Sequence, residues 1–186
     1  MNKETEKILN DLKLSIDEAA RHREIWWELG VSKNRTKFKK EFESEEYNYY
    51  LHASYEAHSL AMLLALGRIF DKDSRSSSIR SLKDNLTANG HTRIVDIISQ
   101  SLHSYSTSVQ KILDIRSKII AHTDMRYDDK SVLRDNSLSP DEIKDLIFAV
   151  RETYYVVLRH FFLNTKQHPD GSFGESAIKV LTKLQA

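Results

Sequence analysis

The sequence predicts an all-α fold of four long helices with short extra helices. Apolar residues recur at helical spacing along most of the chain, and hydrophobic residues make up 40% of its 186 residues, which is enough for a core. Only five glycines and two prolines are present, which disfavours architectures of short strands and tight turns. The length fits one domain over residues 1–186, with its core at about 26–163 and a C-terminal tail helix at 164–186.

The first predicted helix ends before Gly30, and its apolar side consists of Ile8, Leu12, Ile16, Ala19 and Trp27. A basic stretch, Lys33 to Lys40, then runs into an acidic one, Glu41 to Glu46, as is typical of a solvated link. The basic stretch also allows a second interpretation, as an RNA-binding patch. Its candidate backbone contacts are Lys33, Arg35 and Lys37, and Phe38 and the Trp26–Trp27 pair offer ring surface for stacking.

The second long helix is predicted over Phe42 to Arg68, and a polar loop over Asp71 to Ser78. A short helix from Ile79 to Leu86 should stop at Asn89–Gly90, where a left-handed cap is easily accommodated. The third long helix is predicted from about Thr92 to Ala121.

The segment from Thr123 to Leu138 carries charge without a period and is predicted to be a loop. Ser139-Pro140-Asp141-Glu142 then combines a capping serine, a first-turn proline and a glutamate placed for a capping box. The fourth long helix therefore begins here and continues to Phe161. A break at Asn164 to Phe173 precedes the tail helix, Glu175 to Leu184.

Charge and composition limit the partners. With 28 basic and 27 acidic residues the net charge is +1, so any RNA contact requires a local patch. The lack of cysteine excludes disulfides, thiol catalysis and zinc–thiolate sites in this chain, and it suits a cytoplasmic location. The longest apolar run, Leu60 to Leu66, is far shorter than the ~18 residues that cross a bilayer, so no membrane association is expected.

Arg116 and His122 are the residues most suggestive of chemistry. Arg116 lies four residues from both Ile112 and Ile120, on the apolar side of its helix, where an unpaired guanidinium is costly. It therefore needs a carboxylate, carbonyl or phosphate partner, or a solvent-filled cleft. In one regular helix His122 would lie about 120° round the axis and ~9 Å along it, too far to touch Arg116. An arginine fork that binds phosphate and a histidine that moves protons could nevertheless cleave RNA without a metal if both reach one phosphate.

Two stretches, Leu66 to Asp71 and Ile115 to Asp124, resemble the AbiU-like abortive-infection branch of the HEPN superfamily (higher eukaryotes and prokaryotes nucleotide-binding). The mark of that superfamily is an arginine followed four to six residues later by a histidine, near a helix end in an up-and-down four-helix bundle. Arg116 and His122 match this mark.

The resemblance implies a metal-independent endoribonuclease without a cofactor, acting as a toxin or in phage defence. It also implies a homodimer in which the motifs of two copies share one cleft, and an antitoxin or other neutralising protein is a possible partner. His122 would take a proton from the ribose 2′-hydroxyl or give one to the leaving oxygen, and Arg116 would hold the scissile phosphate. The expected product carries a 2′,3′-cyclic phosphate.

Residues around the motif are expected to support it. Arg68 and Asp71 share a helix face three residues apart, where they either support Arg116 or form a local ion pair with a structural role. Arg126 is a further candidate for RNA contact. Ser117 stands where active relatives often have asparagine or aspartate, and Asp124 stands where members silenced by nucleotide transfer often have tyrosine. Asp124 is thus kept as a supporting residue rather than as a site of nucleotide transfer.

A different class of function fits the same residues. Many HEPN-like domains are non-catalytic modules that bind RNA, a nucleotide or a partner protein. In that case Arg116 pairs with a carboxylate such as Asp71 and joins two helices, and His122 is a helix-end residue favoured by the dipole. A metal site is not predicted, because His52 and Glu56 are one turn apart but no other helix offers a matching ligand pair.

Overall fold

The computed structural model describes residues 1–117, 138–163 and 170–185. Within these ranges the regular elements are all helical, which confirms the predicted all-α class. The described helices are α1 (Lys3–Gly30), α2 (Ser32–Lys37), α3 (Lys39–Glu43), α4 (Asn48–Ile69), α5 (Ile79–Ala88), α6 (Thr92–His103), α7 (Ser106–Ile115), α8 (Pro140–His160) and α9 (Ser172–Leu184). None of these described helices has the length and apolar character needed to cross a bilayer.

The described residues form two compact units. Unit 1 comprises those of Met1–Ile16 and Leu63–Thr165, and unit 2 those of Asp17–Met62 and Lys166–Ala186. Helices α1 and α4 each contribute residues to both units.

In unit 1, α5 packs against α6, and α8 packs against both α6 and α7. Its buried core includes Leu12, Leu66, Leu86, Ile98, Ile112, Leu146 and Val150. The predicted start of α8 is confirmed: the Ser139 hydroxyl accepts from the Glu142 N–H at 3.1 Å, and the Glu142 carboxylate accepts from the Ser139 N–H at 2.7 Å. The predicted stop after α5 is confirmed as well, since Gly90 has a φ of +80°.

The prediction of one helix over Thr92 to Ala121 is wrong in its middle. Helix α6 ends at His103 and α7 begins at Ser106, and the Tyr105 N–H donates to the Leu102 carbonyl at 3.1 Å instead of to that of Ser101, the acceptor in a regular α-helix. Five of the ten residues from 99 to 108 are serines, whose hydroxyls compete with the backbone for hydrogen bonds, and the Ser99 hydroxyl donates to the Val95 carbonyl at 2.8 Å. The part predicted beyond residue 117 lies outside the described residues.

The interpretation of residues 33–46 as a solvated link is also wrong, because α2 and α3 are helices of unit 2 and the residues Phe38 and Phe42 are buried in its apolar cluster. The second long helix accordingly begins at Asn48, not at Phe42. The Asn34 amide donates to the Glu28 carbonyl at 3.0 Å and to its carboxylate at 2.6 Å. The apolar cluster of unit 2 is formed by Leu29, Phe38, Phe42, Leu51 and Leu181.

Helix α9 is an integral part of unit 2. Its Leu181 is fully buried in that cluster, and the Glu24 carboxylate caps its first turn. The carboxylate accepts from the N–H groups of Gly171 at 2.8 Å, Phe173 at 2.9 Å and Gly174 at 3.2 Å. A carboxylate at this position satisfies N–H groups that have no partner within the helix and complements its dipole.

Candidate functional site

Arg116 lies at the C-terminal end of α7, in unit 1. Its N–H donates to the carbonyls of Ile112 and Leu113, so its backbone still follows the helix. Ile112 and Ile115 are buried, and Arg116 itself is half-buried, with 32% of its side chain exposed. The predicted projection of Arg116 toward the apolar side of the helix is therefore confirmed.

The guanidinium of Arg116 joins the end of α7 to the end of α4. Its Nη1 is 2.9 Å from Oδ2 of Asp71 and 3.4 Å from the carbonyl oxygen of Gly67, to which it donates. The expected carboxylate partner is thus present, and it is Asp71. Of the three guanidinium nitrogens, Nη1 makes both of these contacts with described residues.

Gly67 makes room for Arg116. A Cβ atom at Gly67 would lie 2.6 Å from Cδ of Arg116 and 3.5 Å from its Cγ and Nε. The absence of a side chain in this buried part of α4 thus lets the methylenes of Arg116 lie against the helix backbone. Sequence reasoning named the stretch around Gly67 without this role, although glycine is unfavourable inside a helix and its presence there was the available signal of a packing constraint.

A second set of polar contacts bridges the same two segments. The Lys72 ammonium donates to the Gln110 side-chain oxygen at 3.3 Å, and the Gln110 amide donates to the Asp114 carboxylate at 2.8 Å. Lys72 and Gln110 are exposed and Asp114 is half-buried, and sequence reasoning missed all three. The spacing of Gln110 and Asp114, one turn apart on α7, was the available signal.

The other predicted residues of the motif are placed differently. Ser117 is exposed directly after Arg116, and Arg68 is exposed in the last turn of α4. Among described residues the partners of Arg116 are Asp71 and Gly67, not Arg68. His122, Asp124 and Arg126 lie outside the described residues.

The predicted RNA-binding patch belongs to unit 2. Lys33 and Lys37 are exposed there. Arg35 is half-buried: its Nε donates to the Leu29 carbonyl at 2.7 Å, and its guanidinium carbon lies 4.2 Å from the centre of the Phe42 ring. Arg35 therefore holds α2 in place, which leaves the two lysines as the accessible cations of the three candidates.

Histidines form a pair that the sequence did not reveal. His22 on α1 and His58 on α4 approach with their Nδ1 atoms 2.7 Å apart, and burial lowers the pKa of His58 below its usual value. His52, by contrast, is exposed. In the parts of the chain that the structure describes, no group of three or more His, Asp or Glu side chains could hold a metal ion.

Comparison with known proteins adds one match. The model of the HEPN family AbiU2 matches residues 2–178 of this chain, which is nearly its whole length. No curated protein and no solved structure matches it. The predicted resemblance to the AbiU-like branch of the HEPN superfamily is confirmed by the family match.

Proposed function

The chain belongs to the AbiU2 family of HEPN proteins, a family of the abortive-infection type, and on that premise we propose that it is a metal-independent endoribonuclease. The observation that carries the proposal is the fixed, partly exposed guanidinium of Arg116. Asp71 and the Gly67 carbonyl hold it at the end of α7, six residues before His122 in the sequence. A phage-defence effector or a toxin located in the cytoplasm would use such an activity.

Arg116 is suited to the phosphate of the scissile bond. A guanidinium offers donors in a planar fork that matches two phosphate oxygens, and its charge does not depend on pH. Because Asp71 and Gly67 engage Nη1, the group is oriented before RNA binds. Orientation in advance is what makes a donor effective toward charge that develops in the transition state.

His122 would move the protons, as the family resemblance implies. The ribose 2′-oxygen forms a bond to phosphorus, and the bond from phosphorus to the 5′-oxygen breaks. The 2′-hydroxyl proton leaves to a base and the departing 5′-oxygen gains a proton, so the products are a 2′,3′-cyclic phosphate and a 5′-hydroxyl. Two copies of the chain, each bringing Arg116 and His122 to one cleft, would supply both a base and an acid.

The test uses purified protein, total RNA and excess EDTA. The parent chain is expected to cut RNA and leave 2′,3′-cyclic phosphate ends, and His122→Ala is expected to lose at least about a hundredfold in rate. Arg93→Lys, at an exposed position of α6, serves as a control that should cut like the parent. Equal rates for the parent and His122→Ala, or loss of cleavage in EDTA, would contradict the proposal.

A second candidate function is a non-catalytic module that binds RNA, a nucleotide or a partner protein. The ion pair between Arg116 and Asp71 favours it, because a carboxylate at 2.9 Å already offsets the arginine charge and joins two helix ends. The module predicts that the parent and His122→Ala are equally inert toward RNA. It also predicts that Arg116→Ala lowers the melting temperature, as expected for loss of a structural contact.

The proposed partners are RNA, a second copy of the chain and a neutralising protein. Lys33 and Lys37 would add a sequence-independent contact to the RNA backbone in unit 2. Light scattering on the purified chain measures whether it is a dimer. A monomer that still cuts RNA would contradict the shared cleft while leaving the activity intact.

A further inference from the structure

A cavity of about 220 Å³ lies in unit 1 where α4 ends and α5 begins. Its lining combines an aromatic ring, an aliphatic side chain, two cations and one carboxylate: Phe70, Ile79, Arg80, Lys83 and Asp84. It is smaller than the ~300–1,000 Å³ of pockets that enclose drug-sized ligands. A flat ring with polar edges, such as one nucleobase, suits its size and its lining.

The cavity and the candidate site both contact the short segment Asp71–Lys72. The Arg80 Nη1 donates to the Lys72 carbonyl at 3.0 Å, and the Arg116 Nη1 contacts the Asp71 carboxylate at 2.9 Å. The guanidinium groups of Arg80 and Arg116 thus contact two residues that are adjacent in sequence. Given standard bond lengths and these two contacts, the two Nη1 atoms are at most about 16 Å apart. A few consecutive nucleotides of a single strand span such a distance.

We propose that this cavity holds one base of a single-stranded RNA within a few nucleotides of the phosphate bound by Arg116, an inference that rests on the proposed function. Phe70 provides a ring against which the base stacks, a contact every base can make. Arg80 and Lys83 bind phosphates on either side of that base. The cavity thereby fixes where the strand lies relative to Arg116.

Asp84 makes the site selective among bases. Its Oδ2 is 3.8 Å from Arg80 Nε, with both side chains largely exposed, so this ion pair is weak and readily exchanged for a ligand contact. A carboxylate accepts hydrogen bonds from the exocyclic amino group of cytosine. Uracil has an oxygen at the same place, and an oxygen repels the carboxylate. The site therefore prefers cytosine to uracil.

The experiment measures binding apart from cleavage. Fluorescently labelled 2′-O-methyl decamers of cytidine and of uridine lack the attacking hydroxyl, so the unmodified chain binds them without cutting them. Anisotropy titration in EDTA is expected to give roughly tenfold tighter binding of the cytidine decamer. Asp84→Asn should bring the two affinities within about twofold, because an amide can turn to donate or accept.

Two further variants test the stacking ring and the charge. Phe70→Leu should weaken the binding of both decamers at least about fivefold, because it removes the stacking ring. Lys83→Glu should weaken both by a similar factor and leave the base preference in place, while the same reversal at exposed Lys179 of unit 2 should change neither affinity. Melting temperatures within a few degrees of the parent show that each variant is folded.

The outcomes separate the two proposals. Cytidine preference that depends on Asp84, in a chain that cuts no RNA, would support the base site and overturn the endoribonuclease. A chain that cuts RNA but binds the two decamers equally, or keeps its preference in Asp84→Asn, would overturn the base site alone. If free cytidine monophosphate displaces the labelled decamer at the same concentration as unlabelled decamer does, the site binds a mononucleotide. That result would overturn the proposal that it binds a strand.

Discussion

The side chain of Arg116 lies against Gly67, so close that a Cβ at Gly67 would be 2.6 Å from Cδ of Arg116. The carbonyl of the same glycine accepts a hydrogen bond from Nη1 of Arg116. The arginine is therefore held at both its stem and its head by one residue of α4. Gly67 determines whether Arg116 can reach Asp71 in the observed orientation.

Gly67→Ala is expected to displace Arg116 and to destabilise the chain by about 1–3 kcal/mol through overpacking. Urea unfolding measures the change, and RNA cleavage should fall with it if Arg116 binds the phosphate. The double variant Gly67→Ala, Arg116→Ala removes the clash and should be more stable than the sum of the single changes predicts. Strict additivity would contradict the proposed contact.

Arg116→Lys separates charge from geometry. Lysine keeps the positive charge but lacks the planar fork, so cleavage should fall at least about tenfold if the fork holds phosphate. The unfolding free energy should change by no more than about 1 kcal/mol, because the pair with Asp71 is partly exposed. Asp71→Asn is the companion variant, and it should lower cleavage less than Arg116→Lys. A change in stability without a change in cleavage would favour the structural role.

Glu24→Gln should loosen the start of α9. The carboxylate accepts from three backbone N–H groups, and replacing it with a neutral amide removes the charge that strengthens these bonds. A loss of about 1–2 kcal/mol in unfolding free energy is expected, together with faster hydrogen exchange in residues 171–176. Glu175→Gln, at an exposed position in the same turn, should have little effect. Equal exchange in both variants would argue against the cap.

His58 makes stability depend on pH in one direction. Burial lowers the pKa of His58 in the folded chain, so below pH 6.5 the unfolded chain binds the proton more readily. The stability that neutral His58 contributes to the folded chain is fully present above pH 6.5. It is lost as the pH falls toward the pKa that His58 has in the folded chain. The melting temperature should therefore drop less between pH 7.5 and 5.5 in His58→Gln than in the parent. His52→Gln, exposed on the same helix, should behave like the parent.

Local chemistry predicted much of unit 1. The start of α8 and the stop after α5 followed from a serine–glutamate box and a glycine, because such caps involve only neighbours in sequence. The need of Arg116 for a polar partner followed from helical spacing and the cost of an unpaired guanidinium on an apolar side, and Asp71 was one of the partners considered. The break between α6 and α7 could not be predicted in this way, because apolar residues keep the helical period across it. Each serine in this segment disfavours the helix only weakly on its own.

Unit 2 was harder to predict because charge obscured its packing. Asn34, Phe38 and Phe42 recur every four residues and are buried, yet the lysines and glutamates among them indicate a solvated segment. The contact between His22 and His58 joins residues 36 apart on two helices. No local pattern gives the register of one helix against another, so the pair and the lowered pKa of His58 became visible only in the structure.

The burial of Leu181 among residues from Leu29 to Leu51 has a consequence for biosynthesis. More than a hundred residues are translated between these partners, so while the ribosome is still making the middle of the chain, Phe38 and its neighbours lack the helix that covers them. Loop closure over such a separation delays assembly, and chaperones recognise apolar surface left uncovered in this way. Unit 2 can mature only after residues 171–185 have emerged from the exit tunnel.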